Sequence, residues 1–306
     1  MNRIPDSWQG KPYYSLDAYC KNTFHHKCYK IALNARLTCP NRDGLLDTRG
    51  CIFCSSGGSG DFAAASLEEG IALFHGKNVG DHFIAYFQAF TNTYGPLPYL
   101  EQIYRNALQH PKVCGISIGT RPDCLGEEII RLLQTIQKDY PDKFIWVELG
   151  LQTIHEDVAN WMRRGYPLPV FEKAFADLSR IGIPVIVHVI LGLPGESTER
   201  TLQTIQYLNG IKPFGVKLQL LHILRDTDLA EEYLAGRVKP LTKEAYLSLL
   251  CECIAALHPD IVLHRVTGDG AGSDLLAPDW SRNKKDVLNS LHHKLKVEGI
   301  RQGSRM

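Results

Sequence analysis

The chain has 306 residues, 44% hydrophobic and 22% charged, so it can bury a core and is neither disordered nor fibrous. Its longest apolar stretch, about Ile183 to Leu193, is broken by Pro184 and His188 and falls short of the ~20 residues of a membrane span. The net charge of +1 gives no sign by itself of a polyanion partner. However, residues 1–60 hold eight Lys/Arg against four Asp/Glu and residues 280–306 hold seven against two, so basic ends of +4 and +5 flank a middle of −8.

Apolar, β-branched runs recur at Tyr29–Leu33, His82–Gln88, Val113–Ile118, Phe144–Leu149, Pro184–Leu191, Gly215–Leu221 and Asp260–Val266. Helix-period stretches lie between them: Leu97–His110, Gly126–Asp139, Glu156–Arg164, Leu168–Ile181, Ser197–Gly210 and Thr242–His258, with Ser197 and Thr242 placed to cap. Strand then helix, six times, predicts an α/β fold with a parallel sheet. In a closed or partly closed barrel the chemistry gathers where strands end. The residues there are Thr38-Cys39-Pro40-Asn41, Gln88 to Thr93, Gly119 to Asp123, Glu148 to Gln152 and Gly192 to Glu196, with Lys217, Gln219 and His222 on the sixth run. The opening MNRIPDSWQG lacks the apolar core of a signal peptide, so a cytoplasmic protein with no membrane partner is expected.

Nine cysteines in a chain of this length and compartment point to metal binding, catalysis or burial rather than a disulfide framework. Cys39, Cys51 and Cys54 form a C-x11-C-x2-C array in a Gly-rich loop, and the Cys51/Cys54 pair has a chelating bite. Thiolates in this pattern suit zinc, with His25, His26 or Cys28 as a fourth ligand. They equally suit an iron–sulfur cluster whose fourth iron stays open. Cys114 reads as core, Cys20 and Cys28 are ambiguous, Cys124 has no evident cysteine partner, and Cys251 and Cys253 point to different faces of one helix.

The loop Cys39-Pro-Asn-Arg-Asp-Gly-x6-Cys51-Ile-Phe-Cys54, followed by Gly57-Gly58-Ser59-Gly60, resembles the cluster loop of a radical S-adenosylmethionine (SAM) enzyme. Four later stretches agree in order: Tyr86 to Tyr94, Ile118-Gly-Thr-Arg-Pro-Asp123, Val147-Glu-Leu-Gly-Leu-Gln152-Thr153 and His188-Val-Ile-Leu-Gly-Leu-Pro-Gly-Glu196. With His264-Arg-Val-Thr-Gly-Asp-Gly270 and Trp280-x3-Lys284, they resemble the bacterial radical SAM family related to the catalytic subunit of elongator, over about Tyr13 to Leu291. That resemblance implies a partial (β/α)6 TIM-like barrel at 29–225, a basic extension at 1–28 and a C-terminal extension at 226–306. It also implies a [4Fe–4S] cluster on Cys39, Cys51 and Cys54, and SAM held by Gln88, Thr91, Thr120, Asp123, Glu148, Gln152, His188 and Gly192. The chain departs from the usual C-x3-C-x2-C spacing, has Gln88-Ala89-Phe90-Thr91 where a Gly-Gly-Glu triplet is common, and carries no acetyltransferase domain.

Lys217, Gln219, His222 and Arg265 are the expected substrate contacts. Kinship to elongator implies tRNA, in particular the carboxymethylaminomethyl side chain of the wobble uridine, with a one-electron donor such as flavodoxin or ferredoxin. Basic ends that grip the phosphate backbone fit this. Trp8, Tyr13, Tyr14 and Phe24 lie beside cations and could stack bases, although core packing accounts for them more simply. The alternatives are a radical SAM enzyme acting on a small metabolite or protein, and a non-enzymatic zinc-containing RNA-binding protein.

Overall fold

Each apolar run contains a strand, because buried parallel strands need apolar side chains on both faces. A computed structural model of the chain describes residues 5–75, 80–268 and 273–306. One parallel sheet runs in the order β1 (Tyr29–Leu33), β2 (Phe83–Phe87), β3 (Val113–Thr120), β4 (Phe144–Gln152), β5 (Val185–Leu191), β6 (Gly215–Leu220) and β8 (Val262–Arg265). The short strands β7 (Ile223–Leu224) and β9 (Leu275–Ala277) pair antiparallel as a separate ribbon. The run expected as a C-terminal addition therefore extends the main sheet, with β8 parallel to β6.

The expected helices are α3 (Leu97–Gln109), α4 (Glu127–Asp139), α5 (Glu156–Trp161), α6 (Leu168–Arg180), α7 (Thr198–Ile211) and α9 (Lys243–Ala256). Ser197 and Thr242 cap as expected, accepting from the N–H groups of Arg200 and Ala245. The basic C-terminal stretch forms α10 (Lys284–Val297), and α1 (Leu16–Phe24), α2 (Leu67–Ala72) and α8 (Asp228–Leu234) complete the chain.

The sheet is curled. Tyr86 on β2 and Lys217 on β6 hydrogen-bond at 3.1 Å, whereas four strand spacings of ~4.8 Å would hold them about 19 Å apart in a flat sheet. The two-residue period sorts the inner face into layers. Ile84, Trp146 and Ile186 form an apolar floor, Tyr86, Ser117, Glu148, His188 and Lys217 a polar middle, and Gln88, Gly119, Gly150, Ile190 and Gln219 a rim. The outer face packs on the helices in the main core.

Both sheet edges are covered. Leu263 on β8 donates to Tyr14 O at 2.7 Å, while Ala64 donates to Ala32 O at 2.8 Å beside β1. The N-terminal aromatics are structural rather than base-stacking: Trp8 and Tyr13 are buried, and Phe24 stacks on Phe144 at 5.1 Å. Tyr19 of α1 meets Phe214 at 4.8 Å and Trp146 at 6.1 Å, so α1 closes the floor.

Candidate functional site

The loop after β1 folds back over the C-terminal ends of the strands. Arg42 N donates to Cys39 O (2.8 Å) and Cys54 N to Cys51 O (3.0 Å), two tight turns that set the three thiols. The Arg42 guanidinium holds Cys54 O (2.7 Å) and Ser55 O (2.6 Å). Gly50, at φ +79°, lets it pass, since a Cβ there would come 2.9 Å from Arg42 Nε. The loop is pinned to the barrel by Ile52 N on Met162 O and by Asn41, whose amide donates to Arg163 O (2.8 Å) and the Cys51 thiol (3.5 Å).

Cys39, Cys51 and Cys54 line one cavity with Gln88, Thr91, Thr120, Glu148, Gln152, His188, Gln219, His222 and Arg265. Of the residues singled out from the sequence, Asp123, Gly192 and Lys217 do not reach its wall. Asp123 holds Arg121 through two hydrogen bonds of 2.9 and 2.7 Å, and Arg121 lines the cavity in its place. Gly192 makes a left-handed turn at φ +89° against Leu241. His25, His26 and Cys28 precede β1 and so lie at the other end of the strands; they do not complete a zinc site on the Cys39 loop.

The polar layer forms the inner wall of the cavity through Tyr86, Glu148 and His188, with Ser117 and Lys217 behind them. The Glu148 carboxylate accepts from Ser117 Oγ (2.6 Å) and His188 Nε2 (2.6 Å) and pairs with Lys30 (2.5 Å) and Lys217. Burial alone would raise the Glu148 carboxyl, but the charges of Lys217 and Lys30 and the His188 hydrogen bond hold it well below the usual range. Burial and the nearby Lys217 charge lower His188 to about 4, so it is neutral at physiological pH and donates its Nε2 proton to Glu148. Lys217, under Tyr86 and Glu148, therefore holds the layer together rather than facing the cavity.

Sequence reading missed several members of the site. Tyr86 stands two residues before Gln88 and shares its face, and Ser117 stands likewise before Gly119; the two-residue period could have found both. Arg121 and Arg164 stack on the Tyr166 ring at 4.9 and 5.1 Å. No local signal links these three, because β3 and the chain after α5 meet only in the fold.

The residues present fit a cluster and an adenosyl cofactor. Burial and the neighbouring Cys54 charge push the Cys51 thiol up to about 12, so a bound cation would be needed to hold it as a thiolate. Gln152 lines the cavity, and its buried amide oxygen has no hydrogen-bond partner among the described residues, which leaves an acceptor for an incoming donor. Gly119 and Gly150 leave the strand backbone bare at the rim: a Cβ at 119 would come 3.1 Å from Phe87 O, and one at 150 would come 3.2 Å from the Tyr166 hydroxyl.

The family model described as the radical SAM superfamily matches residues 48–208, and the radical SAM C-terminal domain matches residues 213–297. The Bacillus subtilis protein YtqA is 36% identical over 309 residues, covering 99% of this chain and 95% of its own. Elongator complex protein 3 of Schizosaccharomyces pombe is 29% identical over 162 residues, 52% of this chain and 28% of that protein. The solved structure of the archaeal Methanocaldococcus infernus Elp3 with an N-terminal deletion superposes with a TM-score of 0.68 at 17% identity, covering 90% of this chain and 64% of that one.

Proposed function

The chain belongs to the radical SAM superfamily and is an enzyme of that class, and on that premise we propose that Cys39, Cys51 and Cys54 hold a [4Fe–4S] cluster whose open iron receives SAM. The observation that supports this most directly is the convergence of the three thiols on one cavity at the C-terminal ends of the strands. When bound and reduced by a one-electron donor such as flavodoxin or ferredoxin, the cluster supplies reductive cleavage of SAM to methionine and a 5′-deoxyadenosyl radical.

The chain's own residues bind and orient. Gln88, Thr91, Thr120 and Gln152 offer oxygens and amides to the cofactor's ribose hydroxyls and ammonium, and the bare strand at Gly119 and Gly150 admits it closely. Glu148 and neutral His188 fix the cavity's inner wall, while Asp123 acts by holding Arg121 and Gly192 by turning the chain after β5. Gln219, His222 and Arg265 form the substrate side.

The substrate in this reading is tRNA, and the reaction remodels the carboxymethylaminomethyl side chain of the wobble uridine. The kinship to elongator complex protein 3 supports it, and so does the placement of charge. The two basic ends meet, with the Tyr13 hydroxyl 3.1 Å from His292 Nε2 and Gln302 N on Pro12 O at 2.9 Å. Lys284, at the start of α10, is close enough for its charge to act on His222 and Arg265. Lys284 thereby brings one cation of the basic C-terminal stretch toward the substrate side of the cavity.

The test is anaerobic reconstitution with iron and sulfide, reduction with dithionite, and assay of 5′-deoxyadenosine with and without undermodified tRNA. Stimulation by tRNA is expected, with loss of all product in Cys51→Ala. Product indifferent to tRNA would transfer the substrate role to a metabolite or protein, and cleavage retained in Cys51→Ala would sink the cluster assignment.

A further inference from the structure

A second group of sulfurs gathers at the opposite end of the barrel. Cys28 immediately precedes β1, Cys114 is the second residue of β3, and His26 lies between α1 and β1. Their ligand atoms, one per residue, all lie within 4.8 Å of one another, with His26 Nδ1 3.6 Å from Cys28 Sγ. Cys20, a fully buried residue of α1, also neighbours Cys28. No disulfide links any of these cysteines. The group sits at the N-terminal ends of β1–β3, about 16 Å along a five-residue strand from the Cys39 loop. Separations of 86 residues and more between Cys114 and its partners hid it from the sequence.

We propose that His26, Cys28 and Cys114, with Cys20 as the fourth ligand, form a structural zinc(II) site that staples α1 to the N-terminal ends of the strands. Three sulfurs and one imidazole nitrogen are a set zinc takes tetrahedrally, and Zn–S bonds of ~2.3 Å place neighbouring sulfurs about 3.8 Å apart. The ligand atoms of His26, Cys28 and Cys114, already within 4.8 Å of one another, need only small side-chain rotations to reach that arrangement, with Cys20 brought in from α1. A cubane cluster would need its thiolates spread over several irons, farther apart than this compact group holds them. Zinc is therefore the metal this group suits, and iron–sulfur chemistry stays with the other loop.

The surroundings hold the group together. The His82 ring stacks on His26 with centroids 3.4 Å apart, which fixes the imidazole beside the thiols, and Cys28 and Cys114 are carried at the N-terminal ends of β1 and β3.

The experiment measures zinc by elemental analysis in the full chain purified from zinc-supplemented cells. It compares wild type, the Cys39→Ala/Cys51→Ala/Cys54→Ala triple variant, Cys28→Ser and His26→Ala. About one zinc per chain is expected in wild type and in the triple variant, with loss of most of it in Cys28→Ser and reduced retention against a chelator in His26→Ala. Iron reconstituted on the Cys39 loop should be unchanged in His26→Ala, which separates this site from the catalytic one.

Should Cys28→Ser misfold, cobalt(II) titration of the metal-stripped triple variant reads the site directly. A thiolate charge-transfer band with tetrahedral d–d absorption supports the proposal, and the weak spectrum of octahedral cobalt overturns it. Zinc that survives in a folded Cys28→Ser, zinc absent from wild type, zinc lost with the triple substitution, or a native disulfide involving Cys28 would each overturn it.

Discussion

The Glu148 carboxylate accepts from Ser117 and His188 and pairs with two lysines, so removing its charge leaves Lys30 and Lys217 without their shared counter-ion in the barrel interior, both against the Tyr86 ring. Glu148→Gln is expected to cost about 3–5 kcal/mol in chemical denaturation. Lys217→Met in the same chain should recover at least about 1 kcal/mol of that loss. Simple additivity of the two changes would show that the pair is not coupled. His222 gives a pH signature. Burial first, then the charges of Lys284 and Arg265, lower it from 6.5 to about 4 in the fold, and its Nε2 is buried without a partner among the described residues. The unfolded chain therefore binds the proton more tightly between those values. Stability from this residue is complete above pH 6.5 and falls as the pH drops toward 4. Denaturation midpoints across that window should fall less steeply in His222→Gln than in wild type, and parallel curves would count against the assignment.

At the scale of the element, the strands and most crossover helices were legible because their periods are unambiguous. The caps were legible because a Thr or Ser stands just before an apolar-periodic run. Thr242→Ala, removing the acceptor for Ala245 N, should lower the unfolding free energy by about 1 kcal/mol, read as a lower denaturation midpoint with an unchanged m-value. A changed m-value would place its effect outside the cap. Helix α1 was illegible for a physical reason. Its aromatics pack inward on Phe144, Trp146 and Phe214, residues more than a hundred positions away, while its cations face out. Read locally, aromatics beside cations look like a nucleic-acid surface; in the fold they close the barrel floor. Strand β8 looked like an appendage because strand order is set by pairing and not by spacing.

For the whole molecule, the candidate cavity was legible where its residues fall at strand ends, and illegible where the fold brings distant segments together. Gln88, Thr120 and Gln152 belong to the first kind; Arg121, Arg164 and Tyr166 on one stack, and Cys114 beside Cys28, belong to the second. The convergence of the basic ends is likewise a property of the fold. Neutralising Lys284 and Lys285 should weaken tRNA binding and reduce the slope of log affinity against log salt by about 2. An unchanged slope would remove α10 from the RNA-facing surface.

The aromatic floor under the polar layer has a kinetic consequence. A vessel sealed at its base fills and empties through the same mouth. In the proposed reading, with the cofactor seated beneath the substrate, the substrate must leave before the cofactor's fragments can follow. Product-inhibition patterns should then be those of an ordered sequence, and random-order patterns would place a second opening in the cavity. A substrate seated over the mouth would also stopper it for the length of each turnover.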